Sequence, residues 1–166
     1  MSSTTELWHD ARNPPADPKN LSFKNKAVLV TGAYEILDLA TFASVIDFVK
    51  RVKERVPLLH VIQHAGGVAP WTYAKSPDNY EMALQVDVLS PTLLTLLLLP
   101  KLRETAAATV SSPDGYRPHI SFLDSISIFE VPGNVLPSGG QTLVQRCDDE
   151  SKWHGIEQYY PIKLAT

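Results

Sequence analysis

Lys26-Ala27-Val28-Leu29-Val30-Thr31-Gly32-Ala33 decides the fold. Its apolar, β-branched run ends on a glycine, the pattern of a short strand buried in a parallel sheet. From Thr41 to Val56, the residues Phe42, Val45, Ile46, Val49, Val52 and Val56 recur at helical spacing. Asp47/Arg51 and Lys50/Glu54 form i,i+4 pairs on the wet side. Pro57 ends that helix, and Leu58–Gln63 reads as a second buried strand running into Ala65-Gly66-Gly67. Tyr80 to about Thr105 reads as a long helix kinked at Pro91, with Met82, Ala83, Val86, Leu89, Leu93 and Leu97 on one side. His119–Ser125 gives a third strand. A Pro/Gly-rich loop through Pro132, Gly133, Pro137, Gly139 and Gly140 follows, then a last helix near Gln158–Ala165.

Strand, helix, strand, helix, strand is the order of an α/β fold with a parallel sheet and right-handed crossovers. The strands at Ala27–Thr31, Leu58–Gln63 and His119–Leu123 are expected side by side, covered on both faces. Ligands of such sheets bind at the carboxyl ends of the strands, which puts Thr31–Gly32, His64–Gly66 and Asp124–Ser125 on one rim.

Composition excludes several classes. The 166 residues suit one domain, with residues 1–24, which hold Pro14, Pro15 and Pro18, as an extended arm before a domain over 25–166. Fifteen Lys+Arg against eighteen Asp+Glu give a net charge of −3 and no basic stripe, so nucleic acid is not an expected partner. The single cysteine, Cys147, builds no disulfide and has no neighbouring base to activate it, which fits a reducing, cytoplasmic setting. The N-terminus lacks the basic start and apolar run of a leader. Leu93–Leu99 falls short of the roughly 20 residues that span a bilayer, so no membrane partner is expected either. His9, His60, His64, His119 and His154 lack metal-ligand spacing, so no metal site is expected. Trp71, Tyr73 and Tyr80 read as packing residues, and Asp148-Asp149-Glu150 as a solvated acidic turn.

Tyr159 and Lys163 stand four apart, which on a helix places both side chains on one face. An ammonium beside a phenol favours phenolate and suits general acid/base work. Taken with VLVTGA, the AGG turn and a serine after the third strand, the pattern resembles the short-chain dehydrogenase/reductase family, in particular its fungal biosynthetic-cluster members. The likeness runs from about Leu21 to Ala165. Leu21–Ala33 looks like the family's first strand, Glu35–Val52 like its third strand and following helix, and HVIQHAGG like its fourth strand with a variant NNAG motif. YEMALQVDVLSPTLLTLLLLPKL is similar to the next helix, HISFLDS to the fifth strand, and YYPIKLA to the catalytic helix.

The resemblance implies NAD(P) as cofactor, a small-molecule substrate, and ketone/alcohol interconversion, here in fungal secondary metabolism. It makes Tyr159 the acid/base and Lys163 its pKa-lowering partner on the cofactor ribose. Ser125 orients the carbonyl, with Asp124 or Ser127 as alternatives, and Asp87 stands at the proton-relay Asn position. Thr31, Gly32, Asp38, Ala65, Gly66 and Lys163 are the implied cofactor-binding residues, with Asp38 near the adenine.

The departures shape the expectation. After Thr31-Gly32-Ala33 the family continues into a glycine-rich turn and a helix whose N-terminus receives the diphosphate. This chain goes directly to Tyr34-Glu35-Ile36-Leu37-Asp38, where Tyr34–Leu37 either extends the first strand or forms an edge strand. More than a βαβ unit is missing there. Gln63-His64 replaces two amides, Asp87 exchanges a donor-acceptor for an acceptor, and the chain reaches Thr166 within a turn of Lys163. The expected architecture is a partial, Rossmann-like doubly wound sheet without the glycine-rich turn helix and the C-terminal part, binding nicotinamide weakly. Two other functions stay open: a redox-inactive remnant acting as a binding module, and a cofactor-free isomerase, dehydratase or cyclase. The apolar Leu93–Leu99 stretch makes the Tyr80–Thr105 helix the expected surface for a homo-oligomer.

Overall fold

The computed structural model describes residues 22–32, 37–111, 115–129 and 131–166. The expected arm over 1–24 lies almost wholly outside them, as does Tyr34–Ile36. Three strands, β1 (Val28–Thr31), β2 (Val61–His64) and β3 (His119–Phe122), form one parallel sheet in the order β1-β2-β3. Val28, Val61 and His119 stand level across it, as do Thr31, His64 and Phe122. The fold is α/β, as the sequence pattern requires.

The helix α1 (Phe42–Arg55) is capped by Thr41, whose hydroxyl accepts from Ser44 N–H, and it buries Val45, Phe48, Val49 and Val52. After β2 the chain reaches a wide π-helical turn, Leu84–Leu89, and then α2 (Ser90–Thr109). Pro91 explains the turn. It has no N–H to offer the carbonyl of Asp87, so the ladder shifts by one residue, and Ser90 N–H reaches back five positions to Gln85. The kink expected at Pro91 takes this form.

The core lies between α1, α2 and one face of the sheet, where Val45, Val49 and Val52 meet Ile62, Leu94, Leu98 and Leu102. The expectation of a sheet covered on both faces fails among the described residues. Val28 and Val30, on the side of β1 away from the helices, are 42% and 48% exposed. Crossovers of one hand, stepping in one direction from β1 to β3, put both helices on the same face. A doubly wound sheet needs a second run in the opposite direction from β1, and only residues 32–41 separate β1 from α1. Within them Leu37–Ala40, matched above to the family's third strand, form a turn instead.

Leu84–Thr109 is long and apolar enough by length and composition to cross a membrane, more than the Leu93–Leu99 run alone indicated. Leu94, Leu98 and Leu102 are committed to the core, whereas Leu96 is 60% exposed. The region read as a loop before the last helix contains α3 (Leu143–Cys147), whose capping box pairs Thr142 with Gln145. That T-x-x-Q signal was present in the sequence. The last helix, α4 (Tyr159–Ala165), packs on the turn Ile126–Phe129 and on the π-helical turn.

His64 ends β2 inside the core. Its Nε2 lies 2.8 Å from Thr95 Oγ1, and its ring stacks on Phe122 at 4.4 Å. Burial lowers its pKa from 6.5 to about 4. A depressed folded-state pKa gives stability that is present above the unfolded value and lost as pH falls from 6.5 toward 4, by about 3 kcal/mol at most. Glu81 and Asp87, whose pKa values burial raises, act with the opposite sign. The expected outcome is that His64→Gln, measured by urea unfolding at pH 7 and pH 4.5, loses less stability on acidification than the wild type. Equal losses would contradict it.

Candidate functional site

The carboxyl ends of the three strands meet at one rim. Thr31 is buried there, and its hydroxyl accepts from Ala65 N–H at 3.2 Å and Gly66 N–H at 3.4 Å, tying the loop after β2 to the end of β1. The next residue, Gly32, turns away at φ 90°, and a Cβ on it would stand 2.8 Å from the Gly66 backbone. Only glycine tolerates that approach together with that φ. Thr31, Gly32 and Gly66 thus shape the floor of the rim.

Above this floor open two pockets that share Gly66, Gly67 and Val68 as a wall. One, of about 230 Å³, is lined by Ala65, Gly66, Gly67, Val68, Ala69, Leu123, Asp124, Tyr159 and Lys163. The other, of about 370 Å³, is lined by Gly32, Leu37, Asp38, Leu39, Ala40, Met82, Val86 and the shared wall. Asp38 reaches that second pocket while its Oδ1 accepts from Ala40 N–H at 2.8 Å.

Tyr159 and Lys163 share one face of α4, as their spacing requires. The ammonium lies over the Tyr159 ring, 5.4 Å from its centroid. Its counter-charge is Asp87, whose Oδ2 is 3.5 Å away. Both side chains are almost fully enclosed, at 7% and 0% exposure. Asp87 Oδ1 accepts from Val68 N–H at 2.8 Å, so one carboxylate joins the π-helical turn, the loop after β2 and α4. Burial raises the Asp87 pKa, while the Val68 N–H and Lys163 hold it down. Sequence spacing did not indicate this pairing, since Asp87 and Lys163 are far apart in the chain.

The serine at the end of β3 is placed less directly. Ser125 Oγ accepts from Ser127 N–H at 3.3 Å, within the turn, and it is the preceding Leu123 and Asp124 that line the pocket. Ser127 is buried with no hydrogen-bond partner for its hydroxyl, on the turn that packs against α4. Asp148, read as part of a solvated turn, instead accepts from Glu81 N–H at 2.6 Å and pairs with Lys75 at 3.7 Å. Buried Glu81 caps the helix start through Leu84 N–H at 2.8 Å. Cys147 is buried, and desolvation pushes its pKa up to about 12, which removes it as a nucleophile. Among the described residues no cluster of metal-ligating side chains occurs.

The implied dinucleotide fits this rim only in part. Tyr159, Lys163 and Asp38 border pockets on the two sides of the shared glycine wall. The diphosphate, however, needs backbone N–H groups at a helix start. Among the described residues the first helix after β1 is α1, and two of its three leading amides, Phe42 and Ser44, are taken by the protein itself. Phe42 N–H donates to the Asp78 carboxylate at 2.6 Å, Ser44 N–H to Thr41 Oγ1 at 3.2 Å, and Val45 N–H to Thr41 O at 3.4 Å. A carboxylate of the protein itself already stands at the first of these amides, so the start of α1 is a poor fit for the diphosphate.

No family model matches the chain. Curated relatives do. Short-chain dehydrogenase/reductase ffsI of Aspergillus flavipes is 28% identical over 98% of this chain and 60% of its own length. Short-chain dehydrogenase/reductase phmF of Phaeosphaeria nodorum is 33% identical over 77% of this chain and 36% of its own length. Short chain dehydrogenase sor7 of Hypocrea jecorina is 31% identical over 82% of this chain and 37% of its own length. The chain thus spans 36% to 60% of the length of these relatives. The match to ffsI runs over 212 positions, more than the 166 residues of this chain, so the relative carries internal segments with no counterpart here. With a parallel α/β sheet, the TG and AGG turns at its rim and a Tyr-Lys helix beside them, the chain belongs to the short-chain dehydrogenase/reductase family.

Proposed function

We propose that the chain carries the acid–base part of an oxidoreductase that interconverts a ketone and an alcohol on a small organic molecule, with a weak hold on NAD(P). The observation that supports it is the convergence of Tyr159 and Lys163 on one pocket at the carboxyl ends of the strands, with Asp87 paired to Lys163 behind it. In this reading the Tyr159 hydroxyl exchanges a proton with the substrate oxygen, and Lys163, steadied by Asp87, offers that oxygen a further N–H. Asp124 and the Gly66–Val68 wall bound the substrate. A fungal, secondary-metabolic and cytoplasmic setting belongs to the same proposal, with the fungal relatives as its support.

A second reading draws on the occupied amides of α1. If no dinucleotide binds, the same residues serve proton transfer alone, in an isomerase, dehydratase or cyclase. Calorimetric titration with NADPH and NADH separates the two. Each charge-assisted hydrogen bond to a diphosphate is worth about 1.5–3 kcal/mol, so losing three raises a micromolar dissociation constant beyond about 1 mM. No saturable binding is expected below that concentration, and a dissociation constant of about 10 μM or less would contradict the weak hold. Tyr159→Phe is expected to lower carbonyl turnover, assayed at millimolar NADPH, by about 100-fold or more while leaving the melting temperature in place. Unchanged turnover would remove Tyr159 from the chemistry.

The proposal extends to self-association through the outer face of α2, where Leu96 is 60% exposed and Val110, just past the helix end, is 71% exposed. Leu98, in the same Leu93–Leu99 stretch, is a core residue and takes no part. Leu96→Lys is therefore expected to shift the protein toward monomer in sedimentation without unfolding it. A wild type that stays monomeric at high concentration would end this part of the proposal.

A further inference from the structure

Lys163 lines the smaller pocket, and its ammonium, with three N–H donors, stands 3.5 Å from its counter-charge, Asp87 Oδ2. Asp87 Oδ2 is buried and, among the described residues, finds no partner within hydrogen-bond geometry. A second carboxylate, Asp124, lines the same pocket, and among the described residues Lys163 is the one cation in its lining. Counting the ammonium, the carboxylate behind it and the carboxylate at the rim, the pocket carries no positive charge to offer a ligand.

We infer that Asp87 sets the charge preference of this pocket: by neutralising Lys163 it makes the pocket take uncharged, oxygen-bearing molecules and refuse anions. The inference deepens the function proposed above and rests on that reading for the pocket being the substrate site. An anion entering beside Lys163 meets the Asp87 carboxylate paired to it and Asp124 in the same lining. Its lost hydration is then not returned. A carbonyl or hydroxyl oxygen brings no charge and accepts a spare N–H of Lys163 at little desolvation cost. An amide in place of Asp87 can still accept from Val68 N–H through its oxygen, but it leaves the ammonium without a counter-charge.

The groups that face Asp87 are few. Lys163 faces it from α4 and the Val68 N–H from the loop after β2, and Glu81 acts on it from the preceding turn, all within reach of its field. Tyr159 and Asp124 border the pocket itself. Glu81, also buried, is coupled to Asp87 through charge.

The test uses two probes of one shape, benzenesulfonamide and benzenesulfonate, followed by NMR shifts of the Gly66–Val68 amides in the whole protein at pH 7.5. The wild type is expected to bind the neutral sulfonamide at least tenfold more tightly than the sulfonate. Asp87→Asn is expected to raise the ratio of sulfonate to sulfonamide affinity at least tenfold, and adding Lys163→Met to it should abolish the gain. Should Asp87→Asn fail to fold, titrating the wild type toward acid replaces it. Asp87 then takes a proton, and sulfonate affinity should rise while sulfonamide affinity stays level, since the sulfonate keeps its charge throughout. Equal affinities in the wild type, no binding of either probe, or a preference that neither substitution nor pH alters would overturn the inference. Absent carbonyl turnover with both nicotinamides would defeat the oxidoreductase reading alone, because these affinities require no turnover.

Discussion

The Asp87 carboxylate is held from two directions, by Val68 N–H at 2.8 Å and by the Lys163 ammonium at 3.5 Å. Each contact joins an element that the sheet alone does not position. The first fixes the loop after β2, whose Gly66–Val68 segment walls both pockets. The second holds α4, a helix of seven residues that is too short to be stable by itself. Removing one partner of a buried ion pair leaves the other charge stranded, at a cost of about 3–5 kcal/mol. The pair therefore constrains the pocket and the position of Tyr159 together.

That constraint exists because Pro91 widens the preceding turn. The π-helical stretch Leu84–Leu89 keeps Leu84, Gln85, Val86 and Asp87 buried, where a regular helix would rotate part of that run away from the core. Glu81 and Asp148 fasten the start of the same stretch to the segment before α4. The polar groups enclosed here serve geometry first, and the pocket inherits its shape and its charge from them.

Much of the fold was legible because it rests on local patterns. The β-branched run at Ala27–Thr31 and the helical recurrence of Val45, Val49 and Val52 carry their own period, and the structure follows both. The rim followed from them, since parallel strands bring their carboxyl ends together. The open face of β1 was not legible, because it depends on which way the chain winds after the strand rather than on the strand's composition. Within the site, the Tyr159–Lys163 relation was readable from spacing. The Asp87–Lys163 pair joins residues 76 positions apart, and no local pattern announces it. For the same reason Asp148 read as a solvated acid, although it is bonded to Glu81 N–H.

The direct measurement is the carboxyl titration of Asp87 by carbon-13 NMR, in the wild type and in Lys163→Met. Burial raises the Asp87 pKa and Lys163 lowers it, so the wild type should titrate above the ordinary aspartate value, and the Lys163→Met variant higher still. An Asp87 that titrates at the ordinary value and does not respond to the loss of Lys163 would mean that the two groups are solvated apart, and would contradict the pairing on which the pocket's charge and the placement of α4 depend.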